Sequence, residues 1–318
     1  MRRPARNPGD CARKSKRKRA DAGSSFDNAP AAADGKAGET RRGGASAGGS
    51  TRDRLAARLA RRAGNPADPA AGTGGADAFD ELARALNLHD LCEVPVAEGR
   101  ILPGELVRCA KLDDLAASDW QTLAGACPLG LVVDLRTEAE IPERSGLFGS
   151  AAKGAGAPCA TVNLALEGLG LLMPQWQRPL GPAWVLMRRK LWADPLPMFK
   201  RMYAAIVLDP GNMRNMGRLF QLALSPRDGA LAWHCAQGTD RTGIVAALLL
   251  EALGADRADI VEHYAACYAH SAPADPRPQL LAAYEAVEGA YGAVPTYLAE
   301  GLGATPDVRQ ALRERFLA

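Results

Sequence analysis

Two side chains suited to a shared chemistry stand close together in this chain. Cys235 and Arg241 are separated by five residues in His234-Cys235-Ala236-Gln237-Gly238-Thr239-Asp240-Arg241-Thr242-Gly243. A thiol attacks as its thiolate, which forms more readily beside a cation or at a helix N-terminus. A guanidinium is a planar fork that can hold two oxygens of one phosphoryl group. At opposite ends of a short turn the two can enclose a tetrahedral anion, sulfur below and guanidinium at the side. Gly238 lets the backbone turn without a Cβ clash.

Such a turn needs a strand before it and a helix after it. Ser225, Pro226, Asp228 and Gly229 are turn residues, and the apolar run Ala230 to Trp233 that follows predicts a short strand. Ile244 to Leu250 is apolar nearly all round, which predicts an interior helix, with Gly254 placed to cap its far end. The loop then lies at a helix N-terminus, where unpaired N–H groups and the macrodipole favour an anion, phosphate above all.

With those residues in view, the H-C-x-x-x-x-x-R-T-G arrangement resembles the cysteine-dependent protein tyrosine phosphatase superfamily. The nearer likeness is to bacterial and fungal tyrosine phosphatases whose loop reads H-C-x-x-G-K-D-R-T-G; here Thr239 stands in place of the Lys. The likeness extends to Pro103-Gly104-Glu105-Leu106-Val107-Arg108, similar to P-G-x-L-x-R-S. It includes Val132-Val133-Asp134-Leu135-Arg136-Thr137 with Glu140, similar to V-x-D-L-R-S/T-x-x-E. Near the C-terminus it reaches Tyr297-Leu298-Ala299-Glu300-Gly301-Leu302-Gly303, similar to Y-L-x-x-x-L-G. The family's N-x-R-D-L-G-G segment is altered: His89 replaces its Arg, and Cys92-Glu93 its paired glycines.

The resemblance implies an α/β fold, a small mainly parallel sheet flanked by helices. It also implies a general acid inside the loop, at Asp240. Other tyrosine phosphatases take that acid from a separate W-P-D loop; Trp192-Ala193-Asp194-Pro195 is the nearest counterpart, so Asp194 remains the second candidate. In the expected reaction Cys235 attacks phosphorus and forms a cysteinyl phosphate. The backbone of Ala236, Gln237, Gly238 and Thr239, with Arg241, stabilises the equatorial oxygens. Thr242 can donate its hydroxyl to the departing sulfur, and His234 orients Cys235 through backbone hydrogen bonds. Asp134 and Arg136 fall at a strand end near the loop, as a substrate-side ion pair or as a structural pair pinning the following turn. Nucleophile, cation and acid all come from the protein, so no metal or other cofactor is expected.

The rest of the chain frames these residues. Of 318 residues, the first 64 carry seventeen Lys/Arg against six Asp/Glu, and the remainder twenty-two against thirty. Residues 1–77 nearly lack large apolar side chains and predict a disordered basic tail. Its run Arg13-Lys14-Ser15-Lys16-Arg17-Lys18-Arg19 reads as an anchor for nucleic acid or anionic lipid, or as a merely solvated extension. No apolar run approaches a membrane span and none follows the basic N-terminus as a leader would. Seven cysteines, an odd count without C-x-x-C, fit neither a disulfide framework nor a zinc site, and a reducing cytoplasmic setting is expected.

A phosphatase-like domain is expected over 78–318. Helices are predicted over 115–126, 197–208, 213–224 and 258–270, and strands over 129–136 and 161–164, with a Pro103-Gly104 turn between two further short strands. Cys109 and Cys127 are read as core thiols. His263 and Tyr264 are read as packing or facing solvent. Residues 166–200, with Trp176, Trp184 and Trp192 among basic residues, read as a lid over the cleft or a packed helical layer, the lid favoured by position. The expected substrate is a phosphotyrosine protein or another phosphomonoester. Family members with Lys at position 239 often also take phosphoinositides, and neutral Thr239 removes one such contact. A phosphoinositide or inositol phosphate phosphatase and a non-catalytic phosphate-binding module are the alternatives; a nucleophile with an acid beside it argues against the latter. Neither the oligomeric state nor the tail's partner is legible.

Overall fold

The computed structural model describes residues 73–141, 159–172, 196–268 and 275–318. Residues 1–72 of the expected tail, Asp194 and residues 173–195 of the expected lid lie outside the described residues, while residues 73–77, expected in the tail, belong to the first helix.

Five strands form one sheet: β1 (His89–Asp90), β2 (Leu106–Cys109), β3 (Leu129–Asp134), β4 (Ala160–Asn163) and β5 (Ala230–His234). Their order is β1-β2-β5-β3-β4, with β1 antiparallel to β2 and every other pairing parallel. Central β5 is buried along its whole length, His234 included. Its side chains alternate between faces. Ala230 and Ala232 meet the layer that holds Phe79, Trp120 and Leu123; Leu231 and Trp233 meet the larger core beneath the other helices. Small residues thus face the thin layer and large ones the thick layer.

On the thin side lie α1 (Thr73–Ala85) and α2 (Ala117–Ala126). The thick side holds α3 (Leu196–Leu208), α4 (Pro210–Leu224), α5 (Asp240–Leu253), α6 (Arg257–Ala266), α7 (Arg277–Tyr291) and α8 (Pro306–Phe316). The near-uniform apolarity of α5 is answered by cover from β2, β5, α3, α6 and α8. Each buried Leu, Ile or Val there contributes about 1.5–3 kcal/mol of transfer free energy. Gly254 ends α5 with φ 90°, the left-handed cap its sequence position predicts. Asp209 caps α4 by accepting from Asn212 N, and Pro210 takes the first-turn place where a missing N–H costs nothing. Along α4, Met216, Leu219, Phe220 and Ala223 are buried as their spacing predicts.

Two expectations need adjustment. The helix expected over 258–270 is α6, which ends at Ala266, with Cys267 and Tyr268 continuing the chain as a turn. Pro103-Gly104 does not join two adjacent strands as a hairpin; before it, Ile101 makes an isolated bridge to Leu317. The antiparallel partner of β2 is β1, and buried Asp90 ties the two segments by accepting from Gly104 N at 2.5 Å. Cys109 and Cys127 are buried in the thin layer as expected, and burial pushes the Cys109 thiol up to about 12. No described helix is long and apolar enough to cross a membrane.

Candidate active site

Parallel pairing brings three strand ends to one place. Cys109 of β2 and Asp134 of β3 are both register partners of His234 in β5. The chain leaves β5 at this edge, turns through Cys235 to Thr239, and enters α5 at Asp240. A crevice beyond the carboxyl ends of strands is the usual ligand position in such sheets.

The loop's shape is imposed from behind. Gly238 has φ +73°, and a Cβ there would lie 2.6 Å from the Cys109 carbonyl oxygen. Only glycine meets both conditions without strain. The Ala236 carbonyl accepts from Lys111 N at 3.3 Å, and the Gly238 carbonyl from Arg108 Nη2 at 2.7 Å. Both donors belong to β2 or the residues just after it. In a trans peptide N–H points opposite to C=O, so the amides of Gln237 and Thr239 turn away from β2, toward the mouth of the loop. Arg108 is fully buried, and its Nε and Nη1 have no hydrogen-bond partner among the described residues. A cation is thereby held directly under the loop.

Around this turn the expected residues take distinct places. Cys235 is 2 % exposed. His234 Nδ1 donates to the Cys235 carbonyl at 3.0 Å. Burial lowers the His234 pKa, so the ring is neutral and that bond places its one hydrogen on Nδ1. Gln237 is exposed and Ala236 half-buried, whereas Thr239 and Thr242 are buried. The Thr242 hydroxyl has no partner among the described residues, and its carbonyl accepts from Trp233 Nε1 at 3.1 Å.

Arg241 lies at the rim with its side chain 11 % exposed. Its Nη1 and Nη2 each reach a Glu140 oxygen at 2.6 Å, a two-point clamp, while Nη1 also approaches the Leu166 carbonyl at 3.2 Å. Burial pushes the Glu140 carboxyl up, but the guanidinium of Arg241 and the amide and hydroxyl of Thr137 outweigh it and bring it down to about 2. Glu140 therefore holds Arg241 as a carboxylate, in the geometry in which a fork would hold phosphate.

Asp134 and Arg136 are brought beside the loop but sealed from solvent, at 0 % and 1 % side-chain exposure. Arg136 Nη2 meets Asp134 Oδ2 at 2.6 Å, and its Nη1 pairs with Asp113. Asn163 Nδ2 donates to the carbonyls of both Asp134 and Arg136. In this position the two pin the turn after β3 and have no path to a bound substrate.

Asp240 stands at the first helical position of α5. Its Oδ1 accepts from Tyr203 Oη and from Tyr268 Oη, each at 2.5 Å, and Tyr264 Oη lies 2.5 Å from Tyr203 Oη. Asp240, Arg241 and Glu140 share a cleft of about 360 Å³ with Glu167, and Phe199, Met202 and Ile206 supply its apolar wall. Helix α3 thus contributes both that wall and Tyr203. The arrangement offers a recessed sulfur, outward-turned amides, a guanidinium held in a carboxylate's grip, and a carboxyl at the lip of an apolar slot.

Sequence reasoning did not place Glu140 on Arg241, nor any tyrosine on Asp240. Tyr264 and Tyr268 are four residues apart, which puts them on one side of a helical turn; that spacing was a usable signal. For Tyr203, far away in sequence, there was none. Among the described residues no group of three or more His, Cys, Asp or Glu is arranged to hold a metal ion.

Comparison with known proteins agrees with this architecture. The tyrosine phosphatase family profile matches residues 81–318. A tyrosine-protein phosphatase of Nostoc commune is 29 % identical over 184 residues, covering 57 % of this chain and 55 % of its own length. A protein of Cupriavidus necator, named provisionally as a tyrosine-protein phosphatase, is 28 % identical over 188 residues, covering 59 % of this chain and 61 % of its own. The matched region thus spans less than two thirds of either relative. With the family profile running unbroken from ahead of β1 through α8, the chain belongs to the tyrosine phosphatase family.

Proposed function

We propose that this chain hydrolyses phosphomonoesters of tyrosine through a covalent intermediate on Cys235. The observation that carries the reading is the cleft shared by Arg241 and Asp240 at the N-terminus of α5, at the far end of the loop that Cys235 opens. In the first step the sulfur attacks phosphorus; the S–P bond forms, the P–O bond to the leaving group breaks, and Asp240 gives its proton to the departing oxygen. Loop amides, with Arg241, stabilise the charge on the equatorial oxygens. In the second step water attacks phosphorus, Asp240 takes the water's proton, the P–S bond breaks, and the Thr242 hydroxyl, unpartnered among the described residues, can donate to the departing thiolate.

The wall formed by Phe199, Met202 and Ile206 suits a phenyl ring. Charge in the described part of the cleft is Glu140, Glu167 and Asp240 against Arg241, and the Thr239 hydroxyl is buried, 3.4 Å from Asp240 Oδ2. Those features favour a single phosphate on an aromatic alcohol over a polyphosphorylated inositol headgroup. Both named relatives are described as tyrosine-protein phosphatases, which supports the same substrate class. A pure binding module would have no use for a thiol and a carboxyl carried on one short loop.

The test is phosphate release from phosphotyrosine peptides, phosphoserine peptides and phosphoinositide vesicles, with Cys235→Ser as control. Turnover led by phosphotyrosine and abolished in the variant is expected. Turnover led by phosphoinositides would overturn the substrate class. For the acid, Asp240→Asn should lose the basic limb of the pH–rate profile on a phenyl ester. Loss of that limb in Asp194→Asn alone would move the role to Asp194.

A further inference from the structure

The tyrosines around Asp240 exceed what packing asks of them, because the hydroxyls of Tyr203 and Tyr268 converge on one carboxylate oxygen and that of Tyr264 meets Tyr203 behind it. We propose that Tyr203 and Tyr268, backed by Tyr264, are positioning residues that fix the Asp240 carboxyl with Oδ1 held and Oδ2 carrying the transferable proton. This rests on the reading of Asp240 as the general acid.

Hydrogen counting gives the network one direction. A tyrosine hydroxyl has a single hydrogen to donate. Tyr203 Oη and Tyr268 Oη both give theirs to Asp240 Oδ1, which has no hydrogen to return when ionised. The Tyr203 hydrogen being committed, its 2.5 Å contact with Tyr264 is donated by Tyr264, whose one hydrogen goes to this short contact in preference to Gln279 Oε1 at 3.4 Å. The chain runs Tyr264 to Tyr203 to Oδ1, and Tyr268 joins at the same atom. Two donors fill the lone-pair directions of Oδ1, so a proton bound by the carboxyl goes to Oδ2. Burial, with the Asp240 charge next in effect, pushes the Tyr203 and Tyr268 hydroxyls far above their ordinary range, so they remain donors throughout.

The charged groups facing Asp240 from elsewhere do not replace this hold. Arg241, on the same helix, spends its fork on Glu140, while Glu140 and Glu167 line the cleft as acceptors. Neutral hydroxyls can fix a carboxyl without removing it from acid–base use, where an arginine would lock it ionised. Gly243 makes the approach feasible: a Cβ there would lie 2.6 Å from the Tyr264 ring. The last glycine of the loop motif is thus the point at which the tyrosine-bearing segment closes on the acid's helix.

Orientation of this kind is read by leaving-group dependence. Nitrophenolate departs without help, whereas phenolate needs a proton, so a misplaced acid penalises phenyl phosphate selectively. Correctly placed acids contribute roughly 10²–10⁴-fold. The experiment compares kcat/KM for p-nitrophenyl phosphate and phenyl phosphate in wild type, Tyr203→Phe, Tyr268→Phe and Asp240→Asn. Inhibition by inorganic vanadate and a thermal melt report loop and fold integrity. Each tyrosine variant should fall about tenfold further on phenyl phosphate than on p-nitrophenyl phosphate, and Asp240→Asn further still. Equal losses on both esters, or no loss in either tyrosine variant while Asp240→Asn is selective, would overturn the positioning role and leave the acid in place. If Asp240→Asn itself shows no selectivity, the acid assignment fails, and the positioning role with it.

Discussion

Two arginines lie near the carboxyl edge of this sheet, Arg136 just after β3 and Arg241 on α5, and each grips carboxylate through its fork, yet at different depths. Arg136 is closed in between Asp134 and Asp113, all three at 2 % side-chain exposure or less. Arg241 faces Glu140 at the edge of a cleft, with the carboxylate 35 % exposed. A buried cation between two buried anions has nowhere else to go, because separating them strands charge in a low dielectric. A rim cation can exchange part of its grip for a phosphate at small cost, since its partner returns to water. The chemistry of the pair is the same; depth makes the first architecture and, on the proposed reading, leaves the second for a ligand.

That contrast can be broken at several points. Replacing Arg136 with Met leaves two buried carboxylates unpaired and should destabilise the fold by about 3–5 kcal/mol, read as a lowered urea midpoint. A loss below about 1 kcal/mol would mean the Arg136 cluster is wetter than its exposure implies. Arg241→Ala should do the reverse: turnover falls by about 10²–10³, while stability moves by no more than about 1 kcal/mol. Gly238→Ala sits between these extremes. It forces a left-handed residue against the Cys109 carbonyl, which costs about 1–2 kcal/mol before any relaxation, and it should weaken vanadate binding by shifting the loop amides.

The smallest effect is a pH dependence. The Glu140 carboxyl is held at about 2, below its ordinary 4.5. A depressed carboxylate contributes stability that is fully present above the unfolded value and is lost as pH falls toward the folded one. The Arg241 clamp should therefore be intact at neutral pH and lose its contribution between about 4.5 and about 2. Urea midpoints taken down through that window should fall more steeply in wild type than in Glu140→Gln. Identical slopes would show that Glu140 does not grip Arg241 in solution.

Legibility from sequence followed the range of the interactions. The strand, loop and helix that carry Cys235 and Arg241 are one continuous segment whose apolar periods and glycines act locally, and they lie where their residues predict. The run from Leu129 to Asp134 was equally plain, being apolar on both faces. Glu140 was visible only as a matching motif position, because its partner is 101 residues away. The tyrosine cluster was less visible still: an aromatic side chain in a helix reads as core, and nothing local distinguishes a hydroxyl aimed at a carboxylate from one aimed at water. Asp134 and Arg136 could be placed near the loop, but their depth depends on Asp113 and Asn163 closing over them, and no local pattern encodes that.

The most direct test is to quench turnover of a phosphorus-labelled aryl phosphate with acid within milliseconds and to look for label on the protein. Wild type should carry one phosphoryl group per chain on Cys235, and Cys235→Ser none. Undiminished phosphate release by Cys235→Ser, with no label trapped on either protein, would contradict the central claim that sulfur and guanidinium act on the same phosphate.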